Sequence, residues 1–597
     1  MISAKNPAKS GAHNRIDTKV EHGTDQKTGQ ATTPVSLDKS DDDFSEKRDD
    51  GNSSKGKTDS LAGDKSAKAD PSEDEVGTSQ QYPGGWKLAL AFAALILVLL
   101  VGGIDSTILA TGVPTITDEF NITADVGWYL TSYRLAACAM QFPFGKLYKH
   151  FPTKYVFMTS NFAFMVGSLL CAAAQTSPMF IVGRTLAGVG IAGGSAGFFN
   201  LIMEVVAPQL RPMLGGIFGS IEMLSGILGP VIGGVIVQHT TWRWCFWINI
   251  PICVAALVSM FLFLPCIPKS QEDDRALTFS GLLREMDVIG MVLMTGGLVA
   301  LFLAINWGGV TRAWNSPTII TLFVLFGSLQ AIFAFHAART GEKGILPPRL
   351  IKNRNVYSGL IFSLGCVSSL SIVEYYVPTY YQIVHDFSPQ KSGFLMLPSL
   401  IATLAGFLIQ GAGASYFGYY TPFSLAGSIL MPVSAGLITT WGPRTSLAQL
   451  IIFLAMVGFS TGIGFQGPLN AVQTTLKKED VPLGIAVVLF AQMFGPAIFV
   501  SVGQTIFANG LARDLRRLFP ERDTSGIPDM GLNEIKSSFS GEDLRKLVSV
   551  FNEAITGAWY LALGLTCLTL IGSLLMPWAK ITKDEKPKDE ESAVKGD

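Results

Sequence analysis

The sequence predicts an all-α membrane protein with fourteen transmembrane helices, and three observations support this. Hydrophobic residues make up 48% of the 597 residues and charged residues only 15%, which is too apolar for an ordinary soluble protein. Apolar segments of about 20 residues, the length that spans a bilayer, recur along the chain. Glycine-rich apolar stretches are also frequent, and such helices persist in a bilayer because the backbone has no other partner there.

The predicted spans begin after a long polar segment. Residues 1–85 hold many charges and few aromatic residues, so this segment cannot bury enough apolar surface and is predicted to be a disordered cytosolic tail. The fourteen spans lie near 88–110, 127–147, 155–174, 178–204, 213–237, 244–264, 286–306, 317–336, 356–384, 392–412, 421–440, 447–470, 481–508 and 557–577.

Lysine and arginine in the short loops predict the orientation. If the N-terminus is cytosolic, about fourteen of these residues lie in inner loops and about four in outer loops, which is the bias expected of the cytosolic side. Both termini are then cytosolic, and the polar segment 509–556 is an outer loop, predicted to form short amphipathic helices over the outer mouth. Asn121 begins an Asn-Ile-Thr glycosylation sequon in the first outer loop.

Repeated glycine spacing predicts two related halves. Gly215, Gly226 and Gly234 have spacings of eleven and eight residues, and Gly484, Gly495 and Gly503 repeat them. Parallel repeats of this kind occur in transporters built from two bundles. The predicted divisions are a tail (1–85), a six-helix bundle (86–265), a cytosolic linker with two inserted helices (266–340), a second six-helix bundle (341–578) and a cytosolic tail (579–597).

Several chemistries are not indicated. The seven cysteines lie in apolar stretches without paired spacing, so they are interpreted as packing residues. No phosphate-binding Gly-x-x-x-x-Gly-Lys-Ser/Thr motif is present, which argues against an ATP-driven pump. The histidines are scattered. We therefore expect no enzyme, no cofactor, no metal site and no nucleic-acid partner.

Four stretches together carry a family resemblance. Ile104-Asp-Ser-Thr-Ile-Leu-Ala-Thr-Gly-Val-Pro114 is similar to the L-D-x-T-I-x-x-x-x-x-P signature of fourteen-helix drug:proton antiporters. Gly145–Lys154 resembles the G-K-L-x-D-R-x-G-R-K loop of the major facilitator superfamily, with Lys149 in place of the acid. Val182-Gly-Arg-Thr-Leu-Ala-Gly-Val-Gly190 resembles the buried-arginine motif. Gly226-Ile-Leu-Gly-Pro-Val-Ile-Gly-Gly234 resembles the antiporter signature.

The resemblance covers about residues 85–578 and is strongest to fungal exporters of secondary metabolites. It implies the major facilitator fold, with two six-helix bundles and two inserted helices. It also implies a monomeric, proton-coupled exporter of a toxin, other metabolite or drug in the plasma membrane, with the vacuolar membrane as the alternative. Gly226, Gly229, Pro230, Gly233 and Gly234 would form a gating helix.

Ionisable residues inside predicted spans are candidates for proton coupling, because each costs at least about 2.5 kcal/mol there. Asp105, Arg184, Glu222 and Glu374 are the candidates, and the alternative is a structural ion pair or, for Asp105, a loop contact. The resemblance implies that Arg184 organises proton transfer. Glu222 is expected to be its partner, because a carboxyl group in an apolar site can exchange protons near neutral pH.

Further polar residues predict a substrate cavity. Arg134 and Gln141 lie seven residues apart and share a helix face; Arg134 either binds an acidic or polar substrate or pairs with Asp105 or Glu222. Tyr375 and Tyr376 beside Glu374 form either an aromatic wall for a ligand or an interface belt. Gln410 and Gln492 are further cavity candidates.

Two other functions remain open. The first is a proton-coupled siderophore or basic amino-acid transporter, and the second is a non-transporting membrane receptor. The glycine-proline stretch at 226–234 argues against the first, since the resemblance assigns it to antiporters. The second would be supported by ligand binding without flux in sealed vesicles.

Overall fold

The structure, a computed structural model, describes residues 86–120, 122, 125–264, 286–309, 312–518 and 541–581. Most of these residues are helical, and none of them belongs to a β-strand. The predicted tail 1–85, the sequon residue Asn121 and most of the C-terminal tail lie outside the described residues. The all-helical class predicted from composition is confirmed.

Among the described residues, eight α-helices form the first half of the chain. They are α1 (Trp86–Phe120), α2 (Val126–Ala139), α3 (Gln141–His150), α4 (Thr153–Ala172), α5 (Ser177–Val205), α6 (Arg211–His239), α7 (Trp244–Trp247) and α8 (Asn249–Phe263). The predicted span near 127–147 is interrupted at Met140, which ends α2 and precedes α3.

In the described ranges that follow, two α-helices form an insertion and nine form the second half. The inserted helices are α9 (Val288–Trp307) and α10 (Pro317–Thr340). The second half contains α11 (Pro348–Ile351), α12 (Arg354–Ile383), α13 (Pro389–Phe394), α14 (Leu397–Phe417), α15 (Thr421–Thr439), α16 (Leu447–Phe465), α17 (Gly467–Thr475), α18 (Val481–Leu518) and α19 (Glu542–Leu575).

Within the described ranges, thirteen helical segments are long and apolar enough to cross a membrane. The fourteenth predicted span corresponds to α2 and α3, which include Arg134, Lys146 and Lys149 and are therefore less apolar. With these two helices counted as one span, the chain has the fourteen-helix arrangement of two six-helix bundles and two inserted helices.

Local sequence explains several helix starts. Ser316 accepts a hydrogen bond from the Ile319 amide, and Pro317 occupies the first turn of α10, where a missing N–H costs nothing. Ser446 and Gln449 form a reciprocal capping box at α16. These caps satisfy amide groups that the first turn of a helix leaves unpaired.

The described ends of the predicted outer loop continue the membrane helices, so the expectation of short separate helices is wrong for these two stretches, and residues 519–540 lie outside the described residues. α18 continues to Leu518 and α19 begins at Glu542, and both extend their membrane segments without a break. Leu511 and Leu515 of α18 pack against Leu547 and Phe551 of α19 in a buried cluster. α18 has 38 residues and is about 57 Å long, whereas the hydrocarbon core of a bilayer is about 30 Å thick. The C-terminal part of α18 and the N-terminal part of α19 that packs on it therefore project beyond the hydrocarbon core.

The two halves are packed together at the end of the bundle where α1 begins. We call this the basic end, because its helix ends and loops carry Lys149, Arg211, Lys352 and Lys478. Tyr148 of α3 shares one buried cluster with Ile485 of α18. Across the same interface, the Met213 amide of α6 donates a 3.1 Å hydrogen bond to Ser415 Oγ of α14.

At the opposite end, the fully buried residues of each cluster belong to one half, although half-buried Met223 of α6 packs against the cluster of the second half. One is built around Phe180, Trp242 and Phe246 of the first half. Another is built around Tyr380 and Trp559 of the second half. Among the described residues, the space between the halves is therefore closed at the basic end by direct packing, whereas no cluster of fully buried residues joins the halves at the opposite end.

Close packing of α6 on α1 depends on glycine. A Cβ at Gly229 would collide with the Thr107 side chain, and one at Gly233 would collide with Thr111 and lie 2.7 Å from Ile108 Cγ1. A Cβ at Gly234 would meet nothing within 4 Å. The predicted gating stretch therefore holds α6 against α1 through two of its four glycines.

We predict that Gly233→Val lowers the melting temperature of the purified protein, whereas Gly234→Val does not. The first change forces overpacking against α1, which costs about 1–3 kcal/mol. The second adds the same β-branched side chain to the same helix without a collision. Thermal unfolding in detergent measures the difference, and equal melting temperatures for the two variants would contradict this packing account.

Candidate functional site

A cavity of about 260 Å³ lies between the two halves. Six helices line it, α1, α2, α5 and α6 of the first half and α12 and α18 of the second. The wall is formed by Leu99, Gly102, Gly103, Ser106, Thr107, Tyr133, Arg134, Ala137, Ile191, Ser195, Phe218, Glu222, Gly226, Val367, Ser371, Gln492, Met493 and Pro496. Apolar walls with a few polar groups are typical of sites for small organic molecules.

A second cavity, of about 510 Å³, adjoins the first. The two share Arg134, Ser371 and Pro496 as wall residues. The second adds Glu374 and Tyr375 from α12, together with Leu130, Thr131, Phe302, Ala497, Val500 and Ser501. Phe302 belongs to the inserted helix α9, so the insertion contributes directly to this wall.

Three charged side chains line these cavities without pairing. Arg134 and Glu222 are exposed to the first cavity, and Glu374 is half-buried in the second. Within the described part of the chain, none of the three makes an ion pair or side-chain hydrogen bond. The expectation that Arg134 pairs with Asp105 or Glu222 is therefore wrong, and its guanidinium is available to a ligand.

A buried polar network lies beside the first cavity. Arg184 Nη1 donates a 2.6 Å hydrogen bond to Asp105 Oδ2, and Asn249 Nδ2 donates a 3.0 Å bond to Asp105 Oδ1. Asn249 also bonds Ser168 Oγ at 3.2 Å. Arg184, Asp105 and Asn249 are at most 2% exposed. The network joins α1, α5, α8 and α4 in the interior of the first half.

The structure corrects the predicted partner of Arg184. We expected Glu222, but Arg184 pairs with Asp105 and also donates from Nε to the Tyr129 carbonyl at 3.2 Å. The guanidinium lies 4.4 Å from the centre of the Tyr133 ring. Because Tyr133 also lines the first cavity, one aromatic ring separates the buried pair from the cavity.

The remaining cavity candidates divide into two groups. Gln492 lines the first cavity and Tyr375 the second, where Gln504 Nε2 donates a 2.7 Å bond to its hydroxyl. Gln141, Gln410 and Tyr376 are buried in the helix packing and line neither of these cavities. Polar character alone did not reveal which way each side chain turns within its helix.

Two participants were missed by the sequence reasoning. Asn249 completes the carboxylate's hydrogen bonds, and Tyr133 separates the pair from the cavity. Asn249 is a lone amide in an apolar span, and such a polar residue is a functional candidate for the same reason as the charged ones. Tyr133 gave no such signal, since tyrosine is common in membrane helices.

The described residues include neither a disulfide bond nor a group of side chains suited to a metal ion. Among them, six cysteines are free, five of which are buried. In the same ranges, no group of three His, Cys, Asp or Glu side chains is placed to hold a metal ion.

A family model and several curated proteins match this chain. The model described as Major Facilitator Superfamily matches residues 95–500. Efflux pump roqT of Penicillium rubens is 35% identical over 87% of this chain and 98% of its own length. MFS-type transporter astH of Aspergillus oryzae is 35% identical over 85% and 90% of the two chains. MFS-type efflux pump MFS1 of Arthroderma benhamiae is 34% identical over 88% and 97%.

Solved structures share the fold at low identity. The proton:xylose symporter XylE is 15% identical, with a TM-score of 0.52 over 83% of this chain and 97% of its own. The human organic anion transporter MFSD10 is 13% identical, with a TM-score of 0.51 over 83% and 100%. At these identities the likeness concerns the fold alone.

We predict that Asp105→Asn strongly destabilises the protein, because it leaves Arg184 as an unpaired buried cation. Removing one partner of a buried ion pair costs about 3–5 kcal/mol. Asp118→Asn is the control, since Asp118 lies exposed on the same helix. The melting temperature should fall in the first variant only, and Asp105→Asn with Arg184→Gln should recover part of the loss. Equal melting in the Asp105 and Asp118 variants would contradict the assignment.

Proposed function

The chain belongs to the major facilitator superfamily of membrane transporters, and from this premise we propose that it is a proton-coupled exporter of small organic molecules. The two halves would rock about the cavity between them and expose it alternately to each side of the membrane. The relatives named as efflux pumps support the outward direction. Their names and the resemblance to fungal exporters support a toxin or other secondary metabolite, or a xenobiotic drug, as the substrate.

One observation supports this proposal most strongly: two carboxyl groups, Glu222 and Glu374, line the cavities between the two halves without a cationic partner among the described residues. Glu222 is contributed by the first half and Glu374 by the second. The halves are joined by packing at the basic end, so the cavity can load or release from the opposite end in this state. A carboxyl group reachable by water and lacking a cationic partner can take up or release a proton with each opening.

Proton uptake would favour closure of the cavity. An ionised carboxylate in an apolar, water-free space is costly, whereas the protonated acid is far less so. With Glu222 and Glu374 protonated, the cavity can close toward the opposite end and open at the basic end. Deprotonation there, together with binding of substrate, would reverse the movement. Arg134, Tyr375 and Gln492 line the same space and would orient the substrate.

We assign the Asp105–Arg184 pair to conformational coupling. The pair is fully buried, so it does not meet the substrate directly. Tyr133 contacts both the cavity and the Arg184 guanidinium, and its hydroxyl donates a 3.1 Å bond to the Gly102 carbonyl. A shift of α1 or α2 around a ligand would therefore move Tyr133 and change its contact with the Arg184 guanidinium.

The proton gradient is sufficient for such an exporter. One charge moving through 100 mV supplies about 2.3 kcal/mol. One pH unit adds about 1.4 kcal/mol. One proton per neutral substrate could thus support a gradient of roughly 500-fold, at about 1.4 kcal/mol per tenfold.

We also propose the topology and location. The basic end faces the cytosol, because lysine and arginine accumulate on that side of membrane proteins. Both termini are then cytosolic, Asn121 is presented outside for glycosylation, and the protein acts as a monomer in the plasma membrane. The vacuolar membrane would satisfy the same topology.

We predict that Glu222→Gln and Glu374→Gln each abolish export while preserving the fold. The measurement is untargeted metabolite partition between cells and medium, in a strain lacking the gene and in strains complemented with each variant. The wild type should move one class of compound outward, and both variants should match the deletion strain. Glu479→Gln is the control, since Glu479 is an exposed acid at the basic end.

Three outcomes would contradict the proposal. Full export by both glutamine variants would remove proton coupling through these acids. Loss of uptake of iron chelates or basic amino acids in the deletion strain would indicate import. Ligand binding without flux in sealed vesicles would indicate a receptor.

A further inference from the structure

A third cavity, of about 270 Å³, lies at the basic end and is separate from the site described above. Its wall is formed by Met203, Pro208, Arg211, Pro212, Asn470, Gln473, Thr474, Leu476, Lys478 and Ile581. Arg211 and Lys478 contribute positive charge, and no aspartate or glutamate lines this cavity. The charge balance is therefore suited to an anion.

Two buried carboxamides in this wall carry donors that no described residue satisfies. Asn470 is 4% exposed and Gln473 is 7% exposed, and among the described residues Asn470 Nδ2 and Gln473 Nε2 lack a hydrogen-bond partner. Buried polar groups are nearly always paired, so such exceptions need an explanation. As placed, the two nitrogens have almost no exposed surface and face the helix packing. A half turn about the last side-chain torsion exchanges the nitrogen and oxygen of a carboxamide, and that turn presents the N–H groups to a ligand in the cavity.

The wall is held in place by the fold. Arg211 donates from Nε to the Val206 carbonyl at 3.0 Å and from Nη2 to the Met203 carbonyl at 3.1 Å. On the far side, the Ile581 amide donates a 2.8 Å bond to the Gly418 carbonyl. The cavity is thus bordered by backbone that these hydrogen bonds hold in place.

We propose that this cavity binds a phosphate group. A phosphate presents several acceptor oxygens in different directions, which matches two carboxamides, a guanidinium and an ammonium group better than a planar carboxylate does. The cavity lies where helices meet the loops of the basic end, so the phosphate can belong to a free anion or to an anionic lipid headgroup.

The site takes its walls from both halves. Arg211 and Met203 belong to the first half, and Asn470, Gln473 and Lys478 to the second. A bound phosphate bridges the halves where they are already packed, so it stabilises the state that is closed at the basic end. Binding can be measured whether or not the protein exports anything.

The test uses the purified full-length protein and thermal unfolding. One arm adds inorganic phosphate, with chloride at the same ionic strength as the reference. The other places the protein in phosphatidylcholine nanodiscs with or without phosphatidylinositol 4-phosphate. Stabilisation by phosphate in the first arm identifies a free anion as sufficient, and stabilisation in the second arm alone identifies the lipid headgroup.

Matched variants decide whether this cavity is responsible. Lys478→Gln removes an exposed lining charge, and Gln473→Glu places a carboxylate where an anion should bind; each should weaken binding at least about tenfold. Lys477→Gln is the control, since Lys477 is exposed beside the site but does not line it. Stabilisation that persists unchanged in Lys478→Gln, or no stabilisation of the wild type in either arm, would overturn the proposal.

Discussion

A buried ion pair between Asp105 and Arg184 holds the first half of this transporter together. Taking two charges out of water is expensive, and the attraction repays that cost only when the remaining donors and acceptors are satisfied. Here Asn249 and the Tyr129 carbonyl supply the further hydrogen bonds, and Tyr133 offers its ring to the guanidinium. The pair therefore fixes the relative positions of the helices that build one side of the cavity.

The rest of the molecule follows from how the two halves meet. α6 approaches α1 closely because Gly229 and Gly233 lack side chains, which places Glu222 on the cavity wall. At the basic end the halves are joined by a shared apolar cluster, and the ion pair of Lys149 with Asp480, 3.8 Å apart, lies across the same interface. At this distance the pair makes no hydrogen bond, so it can break during a transport cycle.

The sequence was sufficient for the fold and for the identity of most charged residues. Hydropathy located the spans, including the less apolar one with Arg134, because a bilayer allows so few alternatives to the helix. Asp105, Arg184 and Glu222 were identified since charge in a membrane helix is costly. Their partners were not predicted, because pairing depends on the rotation of each helix and on its register against its neighbours. Neither can be derived from a single sequence.

The wrong predictions for individual glutamines and for the segment after residue 509 also arose because the direction of each side chain around its helix was not considered. Gln141 and Gln410 were placed in the cavity on polarity alone, but both face the packing between helices. The polar segment after residue 509 was interpreted as a loop, although its Leu511 and Leu515 continue the apolar face of α18 and pack on α19. The spacing of Leu511 and Leu515, four residues apart, continues the helical period beyond the membrane boundary. This spacing could have predicted that α18 continues into the polar segment.

The central claim, that protonation of cavity carboxyl groups moves the two halves, can be tested by pulsed electron spin resonance distances. Labels carried by encoded unnatural residues at Leu210 and Lys477 would report on the basic end, and labels at Thr240 and Thr440 on the opposite end. Lowering the pH should lengthen the first distance and shorten the second, and the Glu222→Gln, Glu374→Gln double variant should not respond to pH. Distances that ignore pH in the wild type, or change equally in the double variant, would contradict the account.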